Sequence, residues 1–220
     1  MSGFDVSLSG VNTFLGNSSG RDKLGKLVHY GARGVAGIAA DYKDSLPKGS
    51  EGQVFAENVH AKARSLFVRI MNARRTTRWL SSTGILLALQ KPCPWDNRPA
   101  WLVAQYGMVW WQLTDHIRWL QQIKWLPGDE ARTKRIGFTG FFISAIVSFL
   151  YHLKQFLTVE ETEKKKKARK LQIVKHFVTV LAAGHISEIA MSHEAICGFG
   201  GAIAASIDIY ETFPRKEKEK

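Results

Sequence analysis

Histidines, cysteines and the clustered arginines are the side chains of this chain with the widest chemical reach, and their spacing limits what they could do. His29, His60, His116, His152, His176, His185 and His193 are scattered. His185, Glu188 and His193 lie near one another, but eight residues separate the two imidazoles, a long reach for two ligands of one metal ion. Cys93 and Cys197 stand in unrelated contexts without a CxxC pair, so neither a disulfide framework nor a zinc site is expected, and a reducing compartment suits the chain. Phosphate-binding loops, a strand-linked GxGxxG, a GxSxG elbow and an HExxH helix are all missing. Asp115 and Arg118 read as a local ion pair at i,i+3 rather than an acid/base device. The expectation is a protein that is not an enzyme, with no catalytic residue, no metal and no cofactor.

The arginines carry more. In Lys62 to Leu80, KARSLFVRIMNARRTTRWL, helical spacing puts Ala63, Leu66, Phe67, Ile70, Ala73, Thr77 and Leu80 on one arc and spreads Arg64, Arg69, Arg75 and Arg78 over the other side. No carboxylate occurs in this stretch, so the helix has no ion pairs of its own and suits phosphates. The chemistry is adsorption to an anionic phospholipid surface. Leu66, Phe67, Ile70, Ala73 and Leu80 would enter the leaflet while Lys62, Arg64, Arg69, Arg75 and Arg78 hold the headgroups. Burial of each large apolar side chain recovers part of about 1.5 to 3 kcal/mol, and each basic residue adds about 1 kcal/mol near anionic lipid. The alternative is the commoner fate of such a helix: its apolar arc packs on a neighbour and its arginines are solvated.

Charge and composition frame both readings. The chain has 220 residues, a formal charge of +12 and 45% hydrophobic residues, with seven Trp and twelve Phe. That supports a folded core and a polyanionic partner, either lipid headgroups or nucleic acid. No nucleic-acid-binding motif is recognised, so a soluble basic domain on RNA or DNA is the weaker class and no nucleic acid is expected. The N-terminus lacks a secretory signal and the C-terminus lacks a Ser-Lys-Leu-like address.

Helical periodicity runs throughout and strand alternation does not compete, so the fold class is all-α. Phe4 to Leu15 predicts a short helix ending at Gly16. Ser19 with Asp22 resembles a capping box for a second helix, in which Leu24, Leu27, Val28, Gly31, Val35 and Ile38 share a face. Asp41 to Gly52 reads as a loop, and a third helix should run through the amphipathic stretch to Leu89, before Pro92, Pro94 and Pro99. Trp101 to Leu126 is an aromatic-rich interfacial or partly inserted stretch. Its Asp115, His116 and Arg118 would be costly in hydrocarbon unless paired. Ile136 to Leu157 is the best candidate to span a bilayer and Ile189 to Tyr210 a second. In the latter, Gly198 with Ala202, Gly200 with Ala204 and Gly201 with Ala205 suit tight helix association. Between them lies a basic run, Lys164 to Lys170, read as a charged loop. The domain organisation is a single unit over 1–220: amphipathic helices over 1–100, aromatic and hydrophobic membrane-associated segments over 101–157, a basic linker and helix over 158–188, a C-terminal membrane segment over 189–213 and a basic tail over 214–220.

These residues resemble a known family. NTFLGNSSGRDKLGKLVHYGARGVAG is similar to the N-terminal signature of the peroxin eleven family, carried here by Gly20, Arg21, Asp22, Lys23, Leu24, Leu27, Tyr30 and Arg33. KARSLFVRIMNARRTTRWL looks like the family's membrane-remodelling helix, with Val68 inserted before Arg69, and LTDHIRWLQQIKWL resembles its central motif. The resemblance implies a peroxisomal membrane protein whose amphipathic helix enters the cytosolic leaflet and elongates the membrane before fission. It also implies self-association into a homo-oligomer, both termini in the cytosol, and partners in the fission machinery. Lys216 and Lys218 look like a dilysine signal for coatomer. The short chain and basic tail resemble the trypanosomatid members, whose peroxisomes are glycosomes. An oligomeric metabolite pore is the alternative proposed for the family. With two spans and cytosolic termini, the run Lys164 to Lys170 would face the lumen, against the positive-inside tendency.

Overall fold

The computed structural model describes residues 3–78 and 81–216. Leu80 and Lys218 lie outside the described residues. The chain is all-α, with eight helices among the described residues: α1 (Leu8–Gly16), α2 (Ser18–Ser45), α3 (Glu51–Thr77), α4 (Ser82–Leu89), α5 (Arg98–Gln122), α6 (Glu130–Thr158), α7 (Glu163–Ser187) and α8 (Glu194–Thr212). Short polar side chains start several of them, because the first backbone N–H groups of a helix have no partner within it. Ser7, Asn17, Ser50, Asn97 and Asp129 each accept from an N–H in the first turn.

Several boundaries differ from the sequence reading. Phe4 precedes α1, where it forms an antiparallel bridge with Arg215 and packs on Tyr210 and Phe213. The cap of α2 is Asn17, and its helix continues through residues 41–45 that had been read as loop. The third helix ends at Thr77 and a separate short helix follows. The lysine run belongs to α7.

Six long helices form a ring in which α3 packs on α2, α2 on α8, α8 on α7, α7 on α6 and α6 on α5, with a sparse seam where α5 meets α3. Ring neighbours that join in sequence are antiparallel. Small residues allow their close approach. A Cβ on Gly198 would run into the Gly34 backbone and one on Gly201 into the Tyr30 ring. Gly198 and Gly201 of α8 are therefore taken up against α2 within the chain, and Gly200 lies against Val178 of α7. Ala182, Ala183, Cys197, Ala204 and Ala205 are fully or almost fully buried at the α7 and α8 interfaces.

The topology also places the basic run. Lys175 near the middle of α7 pairs with Asp208 and Glu211 near the end of α8 at 3.3 and 3.0 Å. Lys164 to Lys170 therefore lies at the end of the ring that holds the C-terminus. The N-terminus is there too, with Asp5 N–H donating to Pro214 at 3.0 Å. The basic run therefore shares one end of the ring with Asp5 and Pro214.

Among the described residues one helix, α6, is long and apolar enough to cross a membrane, and only a minor share of its apolar stretch is buried. Ile189 to Tyr210 falls short because α8 starts only at Glu194 and carries Glu194, Asp208 and Glu211.

Candidate functional site

The ring is apolar outside and polar inside. On α2, Leu24, Val28, Val35, Ile38 and Tyr42 follow one helical stripe and are exposed. On α5 the outward stripe is Val103, Tyr106, Trp110, Leu113 and Ile117, and on α6 it is Ile136, Ile143, Leu150 and Leu157. On α8 it is Ile196, Phe199, Ile203 and Tyr210. Water-soluble bundles turn such stripes inward.

Enclosed by the ring is a cavity of about 1090 Å³ that touches every long helix. Ten Lys or Arg and five Asp or Glu line it, an excess of five positive charges. Two carboxylates serve three arginines at the α3 end. Asp22 of α2 accepts from Arg74 at 2.9 Å and lies 3.6 Å from Arg78, while Asp115 of α5 takes Arg75 and Arg78 at 3.1 Å each. Arg75 also donates to Asn72 and Gln122. Its side chain is 1% exposed, and burial with the neighbouring Arg118 charge lowers its pKa to about 10 against the opposing pull of Asp115. Arg118 pairs with Glu130 at 2.7 Å, not with Asp115 as its spacing suggested.

Farther along α2 and α3, Glu194 of α8 is the hub of a second cluster. It accepts from Arg33 at 2.7 Å, meets His185 Nε2 at 2.7 Å and lies 3.6 Å from Arg64. Burial alone would raise the Glu194 carboxyl, but Arg33 and His185 outweigh it and hold the carboxyl below its ordinary range. His29 is buried between Tyr30 and Phe67. Its Nδ1–H donates to the Phe67 carbonyl at 3.3 Å. Lys23 and Lys134 line the same cavity without an ion pair among the described residues. Three polar atoms of lining residues are buried with no hydrogen-bond partner among the described residues: Arg33 Nε, Trp111 Nε1 and Gln112 Oε1.

The structure divides the residues singled out in α3. Phe67 is buried against His29, and Arg33 and Arg64 lie over its ring at 5.5 and 5.1 Å. Arg75 and Arg78 point into the ring, where Asp22 and Asp115 from other helices answer charges that had no local partner. They are not at the surface. Leu66 and Ala73 are exposed together with Lys62, Arg64 and Arg69, and Ile70 is half-buried. The outward stripe is Phe55, Lys62, Leu66, Arg69 and Ala73, rotated from the expected arc because its arginine-rich edge is drawn inward.

The N-terminal motif is structural. A Cβ on Gly20 would meet the Phe14 carbonyl. Arg21 donates to the Leu15 and Gly16 carbonyls at 2.8 and 3.2 Å, closing the end of α1. Asp22, Lys23, Tyr30 and Arg33 face the cavity. Lys216 N–H donates to the Gly3 carbonyl at 2.9 Å. Sequence reading missed Arg74, Lys134 and Glu194 as members of the site. The only signal was the charged triplet at 115–118 inside an aromatic stretch, which demanded partners.

The model of peroxisomal biogenesis factor 11 (PEX11) matches residues 8–213. The chain belongs to this family. PEX11 proteins are peroxisomal membrane proteins involved in peroxisome biogenesis, proliferation and membrane elongation, and the family is not a known enzyme family. No curated protein and no solved structure matches the chain. The PEX11 match spans all eight helices, from the start of α1 to just past α8.

Proposed function

We propose that this PEX11 chain elongates the peroxisomal membrane by seating its ring in the bilayer and pressing α3 into the cytosolic leaflet. The observation that carries this reading is the exposed apolar exterior, with stripes on α2, α5, α6 and α8. Hydrocarbon satisfies such stripes at no cost, and α6 supplies the longest apolar crossing. On α3 the outward stripe alternates Phe55, Leu66 and Ala73 with Lys62 and Arg69, which suits headgroup depth. Wedging that stripe into one leaflet expands it relative to the other and bends the sheet. Both termini and the Lys164 to Lys170 run share one end of the ring, which we assign to the cytosol on the positive-inside tendency. Self-association, the fission machinery and coatomer at Lys216 and Lys218 remain proposed partners on the family likeness, and a glycosomal location rests on the same likeness.

The test is tubulation of phosphatidylserine-containing vesicles by the full-length protein. Leu66→Glu places a charge on the outward stripe without touching the core. It abolishes tubulation and leaves the melting temperature unchanged, whereas Leu66→Phe tubulates as before. Tubulation that survives Leu66→Glu rejects this face. The metabolite pore is a second reading, favoured by the polar cavity. Solute conductance of reconstituted protein that is retained in Leu66→Glu supports it.

A further inference from the structure

We infer that the central cavity is a binding site for a phosphate ester, held by Arg33 and Lys134 and walled by Trp111. This goes beyond membrane elongation and holds whether or not the chain conducts solutes.

Charge is the first ground. The cavity lining keeps more basic than acidic side chains even after Arg118 and Lys175 pair with Glu130 and Glu211 outside it, and buried charge without a counterion is costly. Ion pairs inside the protein are incomplete. Glu194 is shared between Arg33, Arg64 and His185, and Lys134 has no carboxylate partner among the described residues. An anion completes the set.

Unfilled donors are the second ground. Arg33 gives Glu194 one nitrogen, Nη2, and its buried Nε has no partner among the described residues. The Trp111 indole N–H is likewise buried and unpartnered. Both residues line the cavity. A guanidinium edge, an ammonium and an indole N–H match the several acceptor oxygens of a phosphate better than the two of a carboxylate.

Shape is the third ground. The faces of α5 and α6 toward the cavity place Trp111 one helical repeat from Arg118, and Phe138 and Phe141 on the side that carries Lys134. Trp111 stacks on Phe141 at 4.8 Å and meets Phe138 edge-on at 6.1 Å. Charged groups and an apolar aromatic wall are thus side by side. A volume of about 1090 Å³ far exceeds inorganic phosphate and is the size that small organic ligands occupy. The ligand is therefore an ester, its phosphate at Arg33 and Lys134 and its organic part along the ring wall. Such a group comes either from a soluble metabolite or from a phospholipid headgroup entering at the sparse α3–α5 seam.

The experiment is calorimetric titration of the full-length protein in phosphatidylcholine nanodiscs with inorganic pyrophosphate. A parallel arm compares the melting temperature in nanodiscs with and without phosphatidylinositol phosphate. The expected result is saturable binding or a stabilising shift in at least one arm. Lys134→Gln weakens it about tenfold, the loss of one charge-assisted contact, whereas Lys134→Arg retains it. Lys134→Gln breaks no ion pair and melts like the parent; should it fail to fold, Trp111→Phe removes the unpartnered indole N–H of the same site while keeping an aromatic ring. Lys48→Gln, in the exposed loop after α2, makes the same charge change without effect. A pyrophosphate response shows a phosphate subsite open to soluble ligands, and a response confined to phosphatidylinositol phosphate identifies a headgroup. Absence of a saturable response in both arms overturns the proposal. So does a response that Lys48→Gln weakens as much as Lys134→Gln.

Discussion

Asp115 accepts from Arg75 and Arg78 at 3.1 Å each, and the Arg75 side chain is 1% exposed. Removing this one carboxylate strands two guanidiniums, and Asp22 can reach only one of them. A buried charge deprived of its partner destabilises by roughly 3 to 5 kcal/mol. We expect Asp115→Ala to lower stability by that order in a denaturant titration of the detergent-solubilised protein. Asp115→Ala with Arg75→Met should recover part of the loss, because an apolar side chain of similar length needs no counterion. An unchanged denaturation midpoint in Asp115→Ala would show that water reaches Arg75. At this scale the sequence exposed the problem but not its solution: a charged triplet at 115–118 within an aromatic stretch required partners, and those partners sit on α3 and α6.

Between elements, the α2–α8 contact depends on the absence of side chains where the helices cross. The Gly198 position has no room for a Cβ beside the Gly34 backbone, so Gly198→Ala forces the helices apart. Overpacking of this kind costs about 1 to 3 kcal/mol. Gly31 lies on the outward stripe of the same α2, and a Cβ there meets nothing within 4 Å. Gly31→Ala should stabilise by up to about 1 kcal/mol through helix propensity. Thermal melts of the pair decide: opposite signs support the crossing, and two small equal shifts reject it. Periodicity in the sequence located these helices well. It could not say that the face of α2 carrying Leu24, Val28, Val35 and Ile38 points away from the protein, because a stripe is equally visible whichever medium covers it. The cap at Asn17 was also hidden, since Ser19 offered a competing signal three residues before Asp22.

For the whole molecule, the claim that hydrocarbon covers the exterior has a direct check. Leu150 of α6 is 54% exposed and lies in the helix suited to crossing. In a Cys93→Ser background the remaining Cys197 is fully buried, so it stays unreactive. We expect Leu150→Cys in this background to resist a water-soluble maleimide in vesicles and to react once a denaturing detergent dissolves them. Lys62→Cys on α3 reacts in both conditions. Labelling of Leu150→Cys in intact vesicles would place that face in water.

The sequence by itself determined that this chain is helical, basic and without a recognisable catalytic constellation. Three ordered motifs were enough to indicate the family, because they depend on local spacing and residue type. Tertiary structure decided which side of each helix faces in. The carboxylates that draw Arg74, Arg75 and Arg78 inward come from Asp22 and Asp115, 52 and 40 positions away from the arginines they bind most closely. Glu194 reaches Arg33 across 161. Charge pairing over such separations has no local periodicity to betray it, so the rotation of α3 and the basic cavity emerged only when the ring closed.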